Sequence, residues 1–170
     1  MIYINGRFLI NNPTGIENFA YGMCKAMLEK GIKFIILTPK SAIRSYDVIG
    51  FDMIKIGLFT GPLWEQIDLS FFMIGKSRDI LISFSGAGSL IIKNQIITIH
   101  DVAVFQHPEW FSKTYSILYK TITPIIARKS KAILTVSEFS KREITNLFGI
   151  NSDKVIVTYS SPKNYSKSDL

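Results

Sequence analysis

The sequence predicts an α/β domain in which a parallel sheet is flanked by helices. Two patterns carry the prediction. Short, nearly continuous apolar runs rich in β-branched residues recur along the chain, as strands buried on both faces do. Between them lie longer stretches with helical periodicity, and strand–helix alternation is the signature of a parallel sheet. The chain has 170 residues, of which 47% are hydrophobic. That supports one sizeable core and is too short for two full domains.

The strand runs are IYIN (2–5), KFIILT (33–38), DILISFS (79–85), QIITIH (95–100), KAILTVS (131–137) and KVIVTY (154–159), with a weaker one at MIKIG (53–57). Helical stretches fall at roughly 14–29, 63–73, 113–129 and 138–148. In the first, Thr14 and Glu17 form the Thr-x-x-Glu pattern of a reciprocal capping box. Ile16, Phe19, Ala20, Met23 and Met27 then recur at helical spacing toward the sheet, and Gly31 closes the helix. Ser137 is the N-cap of the last helix, with Gly149 at its end. On 113–129, Lys113, Lys120 and Arg128 share one face while Leu118, Ile122 and Ile125 share another. A polar ending, 161–170, looks poorly ordered.

Composition excludes several classes. No apolar run reaches the roughly 20 residues of a membrane span. The opening MIYINGRFLI lacks the basic leader and cleavage site of a secretory signal. The single cysteine, Cys24, cannot form an internal disulfide or a cysteine metal cluster. The expected setting is the cytoplasm. The formal charge of +7 fits a solvated lysine surface, or an anionic partner such as a phosphorylated small molecule or a membrane surface. No DNA- or RNA-binding signature is present.

Candidate chemistry collects where strands end. In open α/β sheets, ligands bind at the carboxyl edge, where helix N-termini offer unpaired N–H groups to phosphate. The loop GRFLINNPTGIENF is such a place: Gly15 lets a ligand approach the backbone, and Arg7 would supply a cation to offset Glu17. A second lies at IITIHDVAVF, where His100 is expected to face a cleft and Asp101 to orient the loop or accept backbone N–H bonds. A third is TVSEFSKREI, where Ser137 and Glu138 open a helix on the same edge, with capping as their ordinary role. Trp64 reads as core or cleft wall, and Glu65 and Gln66 as capping or hydrogen-bonding groups, without a choice between them. SGAGSL (85–90) lacks the third glycine of a nucleotide fingerprint. His107, before Pro108, reads as a turn residue.

Taken in order, TGIENFA, WEQIDL, ITIHDVAVFQHPEWF, ARKSKAILTVSEFSKREI and INSDKVIVTY resemble the N-terminal half of family 4 glycosyltransferases, with the mannosyltransferase-like enzymes of bacterial surface polysaccharides nearest in look. The resemblance runs from about residue 2 to 160. It implies a Rossmann-like domain, 1–160, forming one half of a GT-B architecture, with 161–170 beginning the inter-domain region. It also implies metal-free, cofactor-free transfer of a sugar from a nucleotide-sugar, with retention, to a glycan or lipid-linked acceptor. His100 and Asp101 match the family's catalytic-cleft pair, and Thr14, Gly15 and Ile16 the loop beside phosphate and acceptor. Ser137 and Glu138 match the same cleft wall.

Two departures accompany the resemblance. Asn18 stands where a basic residue is common, and the chain stops where a donor-binding second domain would begin. Two readings follow. One is the acceptor-side half of an enzyme, inactive without a C-terminal domain in cis or in trans. The other is a non-catalytic glycan- or nucleotide-sugar-binding scaffold of the same fold. Homodimerisation and peripheral contact with the inner membrane face are the further partner expectations; nucleic acid is not one.

Overall fold

A computed structural model of the chain describes residues 1–41 and 46–159. The polar ending at 161–170 lies outside the described residues. Seven strands form one all-parallel sheet in the order β3-β2-β1-β4-β5-β6-β7. They are β1 (Ile2–Asn5), β2 (Ile35–Thr38), β3 (Met53–Lys55), β4 (Ile80–Ser83), β5 (Gln95–Thr98), β6 (Ala132–Thr135) and β7 (Val155–Val157). The order reverses between β1 and β4, the switch point beside which open α/β sheets leave a crevice. Every strand points the same way, so the junctions after β1, β4, β5 and β6 share one edge of the sheet. The expected Rossmann-like α/β class is the one observed.

The period-2 alternation of the strands divides the core. On one face, Phe19, Ala20 and Cys24 of α1 (Gly15–Glu29) pack on Ile4, Ile36 and Ile82. Burial pushes the Cys24 thiol up to about 12, so it sits inert among apolar neighbours. On the other face, α2 (Gly61–Leu63) and α3 (Ser70–Met73) are joined without a break by a π-helical turn, Trp64–Leu69. Trp64, Leu69 and Met73 of this 61–73 helix pack on Tyr3, Leu37 and Leu81. The fully buried Trp64 donates its indole N–H to the Ile56 carbonyl at 3.0 Å, so it is core and not cleft wall. Beyond a short α4 (Ala103–Gln106), α5 (Lys113–Lys129) and α6 (Glu138–Phe148) bury Ile122, Ile126, Ile144 and Phe148 against Ile97, Ile133 and Val155.

Several local expectations change. Thr14 is the N-cap of α1 but makes no hydrogen bond to the helix backbone; its hydroxyl instead donates to the Glu17 carboxylate. The reciprocal capping box is therefore not formed. Ile16 does not face the sheet: it is exposed, and Glu17 is buried in its place. On α5, Ile125 is exposed while Ser116, Ile126 and Ala127 are buried, which rotates the inner face from the one expected. Gly31 and Gly149 do close their helices, at φ 68 and 60. Among the described residues no helix is long and apolar enough to cross a membrane.

Candidate functional site

A cavity of about 180 Å³ opens at the carboxyl edge, beside the switch point. Its wall gathers Ile16 from the start of α1, Gly86 and Ala87 after β4, and Ile99, His100 and Asp101 after β5. The strand expected to run to residue 100 ends at Thr98. The alternation that would send His100 and Asp101 to opposite faces therefore lapses, and both line the cavity.

His100 is mostly buried, with its ring edge-on to Phe19 at 5.1 Å between centroids. Its Nε2 lies 3.2 Å from the Phe84 carbonyl oxygen. A carbonyl only accepts, so Nε2 carries the proton, and in the neutral ring Nδ1 holds the free lone pair. Burial lowers the His100 pKa from its ordinary value, against smaller opposing effects from the Phe84 carbonyl, Asp101 and Glu17. At neutral pH the ring is an uncharged acceptor. Asp101 takes the loop-orienting role: its Oδ1 accepts the Ala103 N–H at 2.9 Å.

Another part of the wall is aromatic, from Phe111 just before α5 and from Tyr115 and Tyr119 in its first turns. Phe111, Tyr115 and Tyr119, at i, i+4 and i+8, stack with centroids 5.5 and 4.1 Å apart. Burial, reinforced by Tyr119, pushes the Tyr115 phenol up to about 12. The lining residues Thr98 and Thr123 carry buried hydroxyls that have no partner among the described residues. None of the described residues lining the cavity is lysine or arginine.

The loop after β4 is held from below by a buried ion pair. Arg7, just past β1, donates to Glu65 Oε2 at 2.6 Å, while Asn5 donates to Oε1 at 2.7 Å and the Ala87 N–H also reaches the carboxylate. Burial pushes the fully buried Glu65 carboxyl up, and these three donors oppose it. Burial acts to lower the Arg7 pKa, but Glu65 and the neighbouring Tyr119 phenol outweigh it and hold the guanidinium charged. With donors on both oxygens, the pair is ionised. Gly86 explains one half of Gly-x-Gly: at φ 78, a Cβ there would stand 2.0 Å from Glu65 Oε1. The close approach serves a carboxylate of the protein itself.

The structure thus brings together His100, Asp101 and Ile16 of the expected site residues. Gly15 is exposed with nothing within 4 Å of where a Cβ would be, and it adjoins the cavity-lining Ile16 without lining the cavity itself. Arg7 is not a free cation for the Thr14–Gly15 loop, because Glu65 already holds it. Ser137 and Glu138 share the edge but do not line this cavity. Ser137 caps α6, its Oγ accepting the Ser140 N–H at 3.0 Å, and Glu138 is exposed. Sequence reasoning missed Thr98, Thr123 and the Phe111–Tyr115–Tyr119 ladder, although the four-residue aromatic spacing was there to be read. Among the described residues, no three His, Cys, Asp or Glu side chains gather closely enough to hold a metal ion.

Comparison with known proteins matches residues 13–160 to the model of the family described as Glycosyltransferase Family 4. The O-antigen chain mannosyltransferase RfbU of Salmonella typhimurium is 30% identical over 80 residues, 47% of this chain and 21% of that protein. The O-antigen chain mannosyltransferase B of Escherichia coli is 31% identical over 67 residues, 39% of this chain and 18% of that protein. The matched segment thus spans about a fifth of the length of these curated relatives.

Proposed function

The chain belongs to glycosyltransferase family 4, and on that premise we propose that it forms the acceptor-side half of a retaining, metal-independent glycosyltransferase. The donor is a nucleotide-sugar, with mannose the sugar suggested by the relatives, and the acceptor is a glycan or a lipid-linked glycan. The supporting observation is the make-up of the cavity. Apolar and aromatic walls, a neutral imidazole and a carboxylate suit an uncharged polyhydroxy ring. They do not suit a diphosphate, which needs cations or a cluster of free N–H groups.

In this reading His100 Nδ1 accepts a hydrogen bond from a sugar hydroxyl, with Nε2–H anchored on Phe84 fixing the ring's orientation. Asp101 retains acceptor capacity beyond its bond to Ala103. The donor diphosphate is gripped by a second domain, in cis or as a separate chain, because Arg7 is committed to Glu65. Without that grip the charge developing on the leaving diphosphate goes unstabilised, so this chain alone is inactive.

The test pairs the chain with a family 4 donor-binding domain and assays transfer from a mannose nucleotide to a lipid-linked oligosaccharide. Transfer should appear only in the pair, and His100→Ala should lower it at least about tenfold, the size of one lost hydrogen bond of roughly 1.4 kcal/mol. Full activity in His100→Ala would remove His100 from its role. Glycan binding by calorimetry without turnover under any pairing would favour the second reading, a non-catalytic binding module, to which the locked Arg7 already lends some support.

A further inference from the structure

The connection from α4 to α5, QHPEWF (106–111), carries a feature that the cavity itself does not use. The cavity wall runs into it at Val104 and Phe105 and resumes at Phe111, so residues 106–110 stand at the rim. His107, expected as a turn residue, is one: it lies between α4 and the 3-10 turn Pro108–Trp110. Its ring lies flat on the Trp110 indole, with centroids 4.2 Å apart and planes 10° from parallel. Trp110 is nonetheless 67% exposed, so the indole face turned away from His107 is open. A large aromatic face left bare forgoes the burial that its size would gain.

The turn holds the ring in that position. Ser116 Oγ of α5 donates to the Pro108 carbonyl at 3.2 Å, and the Trp110 N–H donates to the His107 carbonyl at 3.1 Å. Gln106 Nε2 donates to the Glu143 carboxylate of α6. His107 Nδ1 donates to the Glu109 carboxylate at 3.2 Å, which fixes the imidazole against the indole. The pair is thus pinned from α5, from α6 and from within the turn, and it needs no rearrangement to receive a ligand.

We propose that Trp110, backed by His107, is a stacking platform for a second sugar ring of the acceptor, next to the ring held in the cavity. This rests on the acceptor-side reading above. One face of a pyranose presents C–H bonds, an apolar and slightly positive surface that the electron-rich indole face attracts. The exposed Glu109 carboxylate beside it accepts from the hydroxyls at the ring's edge. Residues 106–111 contain no lysine or arginine, and a carboxylate next to the indole repels phosphate. The platform therefore takes a neutral glycan in preference to the base of a nucleotide. An acceptor of two or more rings engages cavity and platform together, whereas a single sugar engages the cavity alone.

Titration of the full chain with mannose, glucose and galactose oligosaccharides of one to three rings tests this, by calorimetry and by tryptophan fluorescence. Trp64 is buried and Trp110 exposed, so the long-wavelength emission belongs to Trp110. It should move to shorter wavelength as a di- or trisaccharide covers the indole, and stay in place with a monosaccharide. Trp110→Ala should lower the ratio of trisaccharide to monosaccharide affinity at least about fivefold, the scale of one aromatic stacking contact. Trp110→Phe should restore part of that ratio, and His100→Ala should weaken both lengths while keeping it. An unchanged ratio in Trp110→Ala would overturn the platform and leave the acceptor-side reading in place. So would a Trp110 emission shift given by a mannose nucleotide and by no oligosaccharide. No binding of any glycan by the wild-type chain would overturn the acceptor-side reading, and the platform with it.

Discussion

Replacing Glu65 by leucine should destabilise the domain more than any exposed change. The substitution keeps most of the volume but removes the carboxylate that accepts from Arg7 at 2.6 Å, Asn5 at 2.7 Å and the Ala87 N–H. Arg7, whose side chain is only 15% exposed, would be left as a nearly buried cation, and its Nε already lacks a partner among the described residues. Breaking a buried pair by removing one member costs about 3–5 kcal/mol. A whole domain is stable by only about 5–15 kcal/mol. At about 2–4 °C per kcal/mol for a chain of this size, the melting temperature should fall by roughly 6–20 °C, read by circular dichroism or a dye-based melt. Arg7→Met combined with Glu65→Leu should recover most of the loss, because two apolar side chains replace two charges. A Glu65→Leu melt within about 2 °C of wild type would show that Arg7 reaches solvent readily, and the buried-pair reasoning would be wrong. A double variant as unstable as the single one would assign the loss to the Asn5 and Ala87 bonds instead.

Gly86→Ala should be destabilising by at least about 1–2 kcal/mol from the left-handed backbone alone, with the clash at Glu65 Oε1 adding to it; a normal melt would contradict the close approach. His100 should make stability depend on pH. Burial lowers its folded pKa below the ordinary 6.5, so the unfolded chain binds the proton first. The contribution is fully present above about 6.5 and is lost as pH falls toward the lowered value. His100→Gln should flatten that part of a urea-midpoint profile, and an unchanged slope would mean the ring titrates normally. Ser137→Ala should cost about 1 kcal/mol through the lost cap on α6. Thr14→Ala should cost helix α1 less by that route, since Thr14 makes no such bond, and equal losses in chemical denaturation would refute the distinction.

What the sequence determined by itself is what short stretches decide. The strand runs, α1, α5 and α6, the Ser137 cap and the glycine ends follow from side-chain spacing and backbone freedom within a turn or two. A parallel sheet follows from their alternation, and with it the convergence of strand ends on one edge. The His100–Asp101 position was legible for the same reason, being the polar end of an apolar run.

Tertiary structure decided the rest, because it joins groups that no local period relates. Arg7 and Glu65 lie 58 residues apart, and only the placement of the 61–73 helix behind β1 turned a free cation into half of an ion pair. The early end of β5 decided that Asp101 would share the cavity with His100. The π turn at Trp64–Leu69 adds residues to its turn, so a 3.6-residue period misassigns inner and outer faces there. Leu63, Ile67 and Phe71, as apolar as Trp64 and Leu69, were left outside. Apolar character fixes a preference for burial; which residues are buried depends on how much surface the sheet has to cover them.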